Sequence, residues 1–146
     1  MIVTLDTGIL VRGTSRSNGA ARRLLQRLAE DPSQVLALSP FILAEVGKAL
    51  SYPNLQEFLR ITPHEVHEHV AYLRRVARLV VPQLGIPVVL NDPEDEPVIY
   101  TAIGAGADVL CTLDRDFYAA NVLRFCERYH LEVMDDVTLL ARLSEP

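Results

Sequence analysis

A chain of 146 residues has the length of one domain and can bury a sizeable apolar core. Its net charge of −5 argues against nucleic-acid binding through global basicity, but is compatible with a local group of arginines or a metal ion that bridges to phosphate. No apolar stretch reaches the ~20 residues of a membrane helix, and the two cysteines lack metal-ligand or disulfide spacing, so we expect a single cytoplasmic domain, residues 1–146, away from membranes.

Short apolar runs alternate with amphipathic stretches along the chain. Strands are predicted at 2–5, 35–38, 88–90, 108–113 and 131–134. Helices are predicted at 19–30, 54–60, 97–105, 121–129 and 137–143. A further helix is predicted to begin after an N-cap at Ser39 and to end at Pro53, and another to run from a capping box at 62–65 to about residue 79. Strands separated by helices imply crossover connections, so the sequence predicts an α/β fold with three layers, α/β/α, and a mostly parallel central sheet.

Two of the predicted strands end in the same tripeptide, Thr-Leu-Asp, which places Asp6 and Asp114 at strand ends. In open parallel sheets, functional sites form outside the carboxyl ends of the strands. We therefore expect both carboxylates at one site edge rather than in the core. The alternative is that each aspartate only caps the helix or turn that follows it.

Further acidic residues lie on predicted helices and before one of them. Glu45 lies on the flank of the inward face of its helix, although it could instead pair with Lys48 three residues later. The stretch NDPEDEP carries four acids within five residues, Asp92, Glu94, Asp95 and Glu96. One of them could be an N-cap, but four carry more negative charge than capping needs, and their repulsion is costly without a cation or broad solvation.

These acidic positions together predict a site for a hard divalent cation, Mg²⁺ or Mn²⁺, which prefers oxygen ligands. Asp116 adds a further candidate ligand two residues after Asp114. Such a site can activate a water and stabilise the leaving oxygen when a phosphodiester bond is cleaved. Arg12 and Arg16, in the predicted loop after Asp6, are candidates for contacts with the phosphates of such a substrate.

The order and spacing of these motifs resemble the PIN-domain ribonucleases, in particular the toxin components of bacterial and archaeal toxin–antitoxin pairs. The matching stretches are LDTG at 5–8, the first helix at 19–25, Ser39 followed by Glu45, the Asp-Pro-x-Asp loop at 92–95, and TAIGAGADVLCTLDRDF at 101–117. The resemblance covers nearly the whole chain, and it rests on the order of the motifs more than on any one of them.

The resemblance implies a compact α/β fold that cleaves RNA with Mg²⁺ or Mn²⁺. It implies that Asp6 and Asp114 hold the principal metal ion, that Glu45 and Asp95 complete its shell and position water, and that Thr112 places a hydroxyl beside them. Asp116 would be an auxiliary metal ligand. The Asp-Pro-x-Asp spacing favours Asp95 as the third acid, whereas the count back from Asp114 favours Glu96. An antitoxin partner and a homodimer are also implied.

One departure from the family pattern is Gly8, where many members have an asparagine. Because glycine offers no side-chain hydrogen bond, turnover or metal affinity could be reduced, and the alternative function is a non-catalytic PIN module that binds RNA or a protein. A phospho-acceptor receiver domain would also place acids at strand ends, but it needs a lysine at a late strand end, and the sole lysine, Lys48, falls within a predicted helix.

Overall fold

The computed structural model of the protein describes residues 1–89 and 92–145, and the strands of this part form one five-stranded sheet. The strands are β1 (Ile2–Leu5), β2 (Val35–Leu38), β3 (Arg78–Leu79), β4 (Val109–Cys111) and β5 (Glu132–Met134). The helices are α1 (Thr7–Arg12), α2 (Ala20–Glu30), α3 (Pro40–Leu50), α4 (Pro53–Leu59), α5 (Pro63–Val76), α6 (Glu96–Ala105), α7 (Ala120–Glu127) and α8 (Asp136–Ser144). Two short 3₁₀ helices span Pro93–Asp95 and Arg115–Tyr118.

All strand pairs are parallel, and their order across the sheet is β3-β2-β1-β4-β5. Successive residues of a strand point to opposite faces. Val3, Thr4 and Leu5 are all buried, and so are the three residues of β4, which means that helices cover both faces of the central strands. The predicted α/β class with a parallel central sheet is therefore confirmed.

The register of the two central strands fixes the position of the site. Leu5 of β1 lies opposite Cys111 of β4, and the backbone N–H of Asp6 donates to the carbonyl of Cys111 at 2.9 Å. Asp6 and Thr112 consequently leave the sheet at the same edge, one residue beyond the paired positions. The chain segments that follow both strands begin at this edge.

Two predicted helix starts are confirmed with their caps. The hydroxyl of Ser39 accepts from the backbone N–H of Ile42 at 3.3 Å, with Pro40 in the first turn of α3. Thr62 and Glu65 form a capping box at the start of α5, in which each side chain accepts from the other residue's backbone N–H. These caps determine where the chain leaves its loops and enters the two helices.

The helix predicted to run from the capping box to about residue 79 ends three residues earlier, at Val76. Ala77 turns the backbone into an extended conformation, and Arg78–Leu79 pairs with β2 as the edge strand β3. The strand predicted at 88–90 is wrong for Val88 and Val89, which belong to no strand, while residue 90 lies outside the described residues. The strand that completes the five-stranded sheet is therefore β3 and not the predicted strand at 88–90.

The segment after Asp6, predicted as a loop, contains the short helix α1. Its inward residues, Ile9 and Leu10, are almost fully buried, and burial of two large aliphatic side chains stabilises a helix too short to form alone. Gly13 follows as its C-cap. Arg12 is therefore the last residue of a helix, and only Arg16 remains in a loop.

Both cysteines lie in the core with their thiols free. Burial raises the pKa of the Cys126 thiol to about 11 and raises that of Cys111 further still. The two residues therefore act as small apolar side chains. None of the helices in the described part of the chain is long and apolar enough to cross a membrane.

Candidate metal centre

Asp6 joins the ends of the two central strands. One of its carboxylate oxygens, Oδ1, accepts from the N–H of Thr7 at 2.7 Å and caps α1. The other, Oδ2, accepts from the hydroxyl of Thr112 at 2.7 Å. The capping role considered for Asp6 is therefore present, and the same side chain also reaches across to β4.

Thr112 orients both strand-end aspartates. Its hydroxyl donates to Asp6 and accepts from the backbone N–H of Asp114 at 3.0 Å. Asp114 in turn accepts from the N–H of Asp116 at 2.9 Å and caps the short 3₁₀ helix that follows β4. Because Thr112 is fully buried, this arrangement is fixed by the core beneath it.

Four carboxylates converge beyond these strand ends and form what we call the carboxylate cluster: Asp92, Asp95, Asp114 and Asp116. One oxygen from each lies within 4.8 Å of the corresponding oxygen of the other three. The turn Pro93–Asp95 brings the two loop acids to the two strand-end acids, and Asp92 caps it by accepting from the N–H of Glu94 at 3.1 Å. Like charges this close repel one another strongly unless a cation or protons compensate them.

The pKa values of Asp95, in the cluster, and of the neighbouring Asp6 show the cost of this arrangement. Burial and the negative charges of Asp6, Asp92 and Asp114 raise the pKa of Asp95 to about 8. Burial also raises the pKa of Asp6, against the lowering effect of its hydrogen bonds from Thr112 and Thr7. In the absence of a cation, Asp95 therefore holds a proton at neutral pH.

The donor set fits a hard divalent cation. All four side chains of the cluster offer carboxylate oxygens, the ligands that Mg²⁺ and Mn²⁺ prefer. One oxygen of Asp95, Oδ2, is buried and has no hydrogen-bond partner among the described residues. A cation bound beside it would supply the missing interaction and displace the proton.

A cleft of about 380 Å³ opens beside the cluster, and we call it the acidic cleft. Asp6, Asp92 and Asp95 line one side of it, and Glu45 lines the wall formed by α3. Glu45 is exposed and belongs to the cleft but not to the carboxylate cluster. In the described part of the chain no ion pair joins Glu45 to Lys48, the alternative partner considered for it.

Glu96 faces a different part of the molecule from Asp95. Its Oε1 accepts from the backbone N–H groups of Val88 and Val89 at 2.7 and 2.6 Å, and its side chain is buried. Of the two neighbouring acids considered for the third position, Asp95 lies in the carboxylate cluster, whereas Glu96 holds the backbone of the preceding segment. Asp92 is a cluster member that the sequence analysis did not select, although its place at the start of the Asp-Pro-x-Asp loop was a signal.

The two arginines considered for RNA contacts lie outside the acidic cleft. Arg12 is exposed at the last position of α1. Arg16 pairs with Glu65 at the start of α5, with 3.0 Å between Nε and Oε2. Both lie at or beyond the end of α1 that is away from Asp6, and neither lines the cleft.

Comparisons with known proteins agree with this fold. A family model described as PIN domain matches residues 2–116. The crystal structure of VapBC2 from Rickettsia felis bound to a DNA fragment from their promoter contains a chain of similar fold, with a TM-score of 0.59 over 92% of this chain and 98% of that one, at 15% sequence identity. No curated protein matches the sequence. Since the family model covers most of the chain, from β1 to the last member of the carboxylate cluster, the protein belongs to the PIN domain family.

Proposed function

We propose that the protein is a ribonuclease that hydrolyses RNA phosphodiester bonds with Mg²⁺ or Mn²⁺. The observation that carries the proposal is the carboxylate cluster, in which a buried oxygen of Asp95 has no partner among the described residues. PIN domains are generally metal-dependent nucleases, and membership of that family supports the same chemistry. A bound ion would activate a water molecule and stabilise the leaving oxygen.

The residues of the site have distinct proposed roles. Asp95 and Asp114 are metal ligands, Asp92 and Asp116 complete the ligand set, and Asp6 adds its charge from the adjacent strand end. Thr112 is a positioning residue, because its hydroxyl orients Asp6 and the backbone of Asp114. Glu45, across the acidic cleft, would hold a water or the substrate by accepting hydrogen bonds.

We further propose that the protein acts as the toxin of a toxin–antitoxin pair in the cytoplasm, with an antitoxin protein as partner and a homodimer as its assembly. The fold that it shares with a chain of the VapBC2 complex supports this proposal. Copurification with a small protein encoded next to it, followed by measurement of the mass of the complex in solution, tests both parts.

Gly8 supports a second candidate function, a non-catalytic PIN module that binds RNA or a protein. Gly8 lies exposed in the first turn of α1, and apart from its chain neighbours and the backbone of its own helix no atom lies within 4 Å of the position that a Cβ would take. An asparagine would therefore fit at this position. If Gly8→Asn creates activity in an otherwise inactive protein, the second candidate holds for the natural chain.

The deciding experiment is cleavage of end-labelled RNA with Mn²⁺ or Mg²⁺. EDTA and Asp114→Asn should each lower the rate by more than about 100-fold. Asp6→Asn should lower it by about 10- to 100-fold, the effect of residues that support metal ligands. Glu127→Gln is the matched control, because it removes an exposed carboxylate on α7, away from the cluster. Its rate should equal that of the natural protein.

Two results would contradict the proposal. One is the absence of cleavage by folded protein across varied RNAs with either ion. The other is cleavage that persists in EDTA and in Asp114→Asn, which would indicate a contaminating nuclease or a different site. The first result makes the binding module the preferred function.

A further inference from the structure

A second, basic pocket lies at the opposite end of α1 from Asp6, and we call it the arginine pocket. Its volume is about 450 Å³, within the range of small-ligand sites, roughly 300–1,000 Å³. It shares no lining residue with the acidic cleft. Its lining residues come from the loop after α1 and from the end of α4: Thr14, Arg16, Ser17, Phe58, Leu59 and Arg60.

Two guanidinium groups give this pocket positive charge in a protein whose net charge is −5. Glu65 holds Arg16 by contacts to Nε and one terminal nitrogen, at 3.0 and 3.4 Å, and leaves its other terminal nitrogen available. Arg60 makes no side-chain hydrogen bond or ion pair within the described residues. Fixed, planar guanidinium groups suit the oxygens of a phosphate.

The pocket also presents an aromatic ring to solvent. Phe58 is 82% exposed, and α4 contains no buried residue, so this ring contributes little to the core. Nucleic-acid bases stack on such rings whatever their sequence, because every base has an aromatic face. A ring beside two guanidinium groups matches both parts of a nucleotide, the base and the phosphate.

Two further features indicate that the pocket is adapted to a ligand. Arg60 has a φ of +56°, a left-handed conformation that costs free energy for any residue except glycine, yet the position carries a long basic side chain. The hydroxyl of Thr14 is buried without a hydrogen-bond partner among the described residues. Phosphate oxygens that enter the pocket would offer this hydroxyl an acceptor.

From these observations we infer that the arginine pocket binds one nucleotide of a single-stranded RNA, with its phosphate on Arg16 and Arg60 and its base stacked on Phe58. The identity of the ligand rests on the proposed function, in which RNA is the substrate. The six residues of α1 span about 9 Å, so a few nucleotides of one strand connect the pocket to the acidic cleft. The pocket itself requires no metal ion.

The test measures binding of a short fluorescent oligouridylate by anisotropy in EDTA, so that cleavage plays no part. Phe58→Leu should weaken binding by about 5- to 150-fold, the range for loss of one stacked base, whereas Phe58→Trp should preserve it. Both variants should fold, because the ring is almost fully exposed. An oligonucleotide in a duplex should bind less well, since its bases are already stacked.

Arg60→Gly separates the loss of a phosphate contact from a loss of stability. Glycine accepts a positive φ without strain, so the melting temperature should stay equal or rise. The slope of log K against log salt should fall by about 0.7, the value for one phosphate contact to a single strand. His130→Gly is the matched control, because His130 also has a φ of +56° but lies outside the pocket. It should leave the salt slope unchanged.

Unchanged affinity in Phe58→Leu together with an unchanged salt slope in Arg60→Gly would overturn the inference. Full competition by uridine monophosphate at the affinity of the oligonucleotide would also overturn it, in favour of a free nucleotide as ligand. Loss of a protein partner from Phe58→Leu, with RNA binding intact, would assign the surface to protein docking instead. Because binding is measured without metal, failure of this pocket and failure of the nuclease proposal give different results.

Discussion

The acidic cleft and the arginine pocket lie at opposite ends of the same short helix, α1, and they treat charge in opposite ways. In the cleft, three aspartates (Asp6, Asp92 and Asp95) are gathered at buried or half-buried positions with no basic side chain among the lining residues. In the pocket, Arg16 is exposed, and an acid that also caps a helix holds it in place. The first arrangement raises the free energy of the folded protein, whereas the second is close to neutral.

This difference shows which region of the molecule lowers the free energy of unfolding in order to hold a reactive site. The raised pKa of Asp95 means that the metal-free protein favours a proton at the position that we assign to a cation. No comparable penalty accompanies the exposed groups of the pocket apart from the left-handed backbone of Arg60. Substitutions in the two regions should therefore differ in the size of their effect on stability as well as in their effect on activity.

The largest expected effect belongs to Asp95→Asn. We expect affinity for Mn²⁺ to fall by more than about 100-fold, because a direct ligand contributes more than the outer-shell groups that are worth about 10- to 100-fold. Without metal the same variant should be more stable than the natural protein at pH 8. The natural carboxyl, ionised in the unfolded chain at that pH, must on folding either take up a proton or carry its charge into a half-buried position. Calorimetric metal titration and thermal unfolding in EDTA measure the two effects.

The pH dependence of stability gives a further test of Asp95. Its pKa rises from the ordinary value of 3.8 to about 8 in the folded protein, so the folded state retains a proton that the unfolded state releases. The contribution of Asp95 to the free energy of unfolding of the metal-free protein should therefore be greatest below pH 3.8 and should fall as the pH rises towards 8. Asp95→Asn should flatten this decline. An identical decline in both proteins would contradict the assigned pKa.

Glu96→Ala should have an intermediate effect of the opposite sign. It leaves the N–H groups of Val88 and Val89 without their acceptor, and each unsatisfied buried group costs about 1–3 kcal/mol, so the free energy of unfolding should fall by about 2–6 kcal/mol. Urea unfolding measures this loss. Glu94→Ala, at an exposed position of the same loop, should change it little. A variant that keeps its stability but loses metal affinity would make Glu96 the third acid.

The smallest expected effect concerns α1, the helix that links the two regions. Gly8→Ala should raise the free energy of unfolding by about 0.5–1 kcal/mol, because alanine loses less conformational freedom in a helix and its Cβ meets no atom within 4 Å. Gly13→Ala is the matched comparison, since a Cβ there lies 3.3 Å from a methyl carbon of Leu25. Chemical denaturation should rank Gly8→Ala above Gly13→Ala. The reverse order would mean that the first turn of α1 is strained.

The sequence alone predicts the strand-end part of the site because that part follows from a general rule. Apolar runs locate β1 and β4, and parallel pairing brings their carboxyl ends to one edge of the sheet. The placement of Asp6 and Asp114 at that edge is a consequence of this pairing. Caps are predictable for a similar reason, since the hydrogen bonds of Ser39 and of the box that begins at Thr62 are local in the chain.

The sequence does not determine features that depend on distant contacts. β3 has only two residues, which is too short for an alternating apolar pattern in the sequence. Only its pairing with β2, a contact between distant segments, distinguishes it from a continuation of α5. The choice between Asp95 and Glu96 depends on the short turn before α6, which directs adjacent side chains to different surroundings. α1 is predicted as a loop because six residues carry too weak a helical pattern, and burial against the core stabilises it instead.

The two buried thiols supply an internal reporter of unfolding. Alkylating reagents attack the thiolate, and burial both raises the pKa of Cys111 and Cys126 and shields them from reagent. Cys111 ends β4, one residue before Thr112, while Cys126 lies on α7. The labelling rate of Cys111, measured by mass spectrometry, therefore reports how fast the edge of the sheet at the metal centre opens. The labelling rate of Cys126 reports the opening of the outer helix separately, and neither measurement needs an added probe.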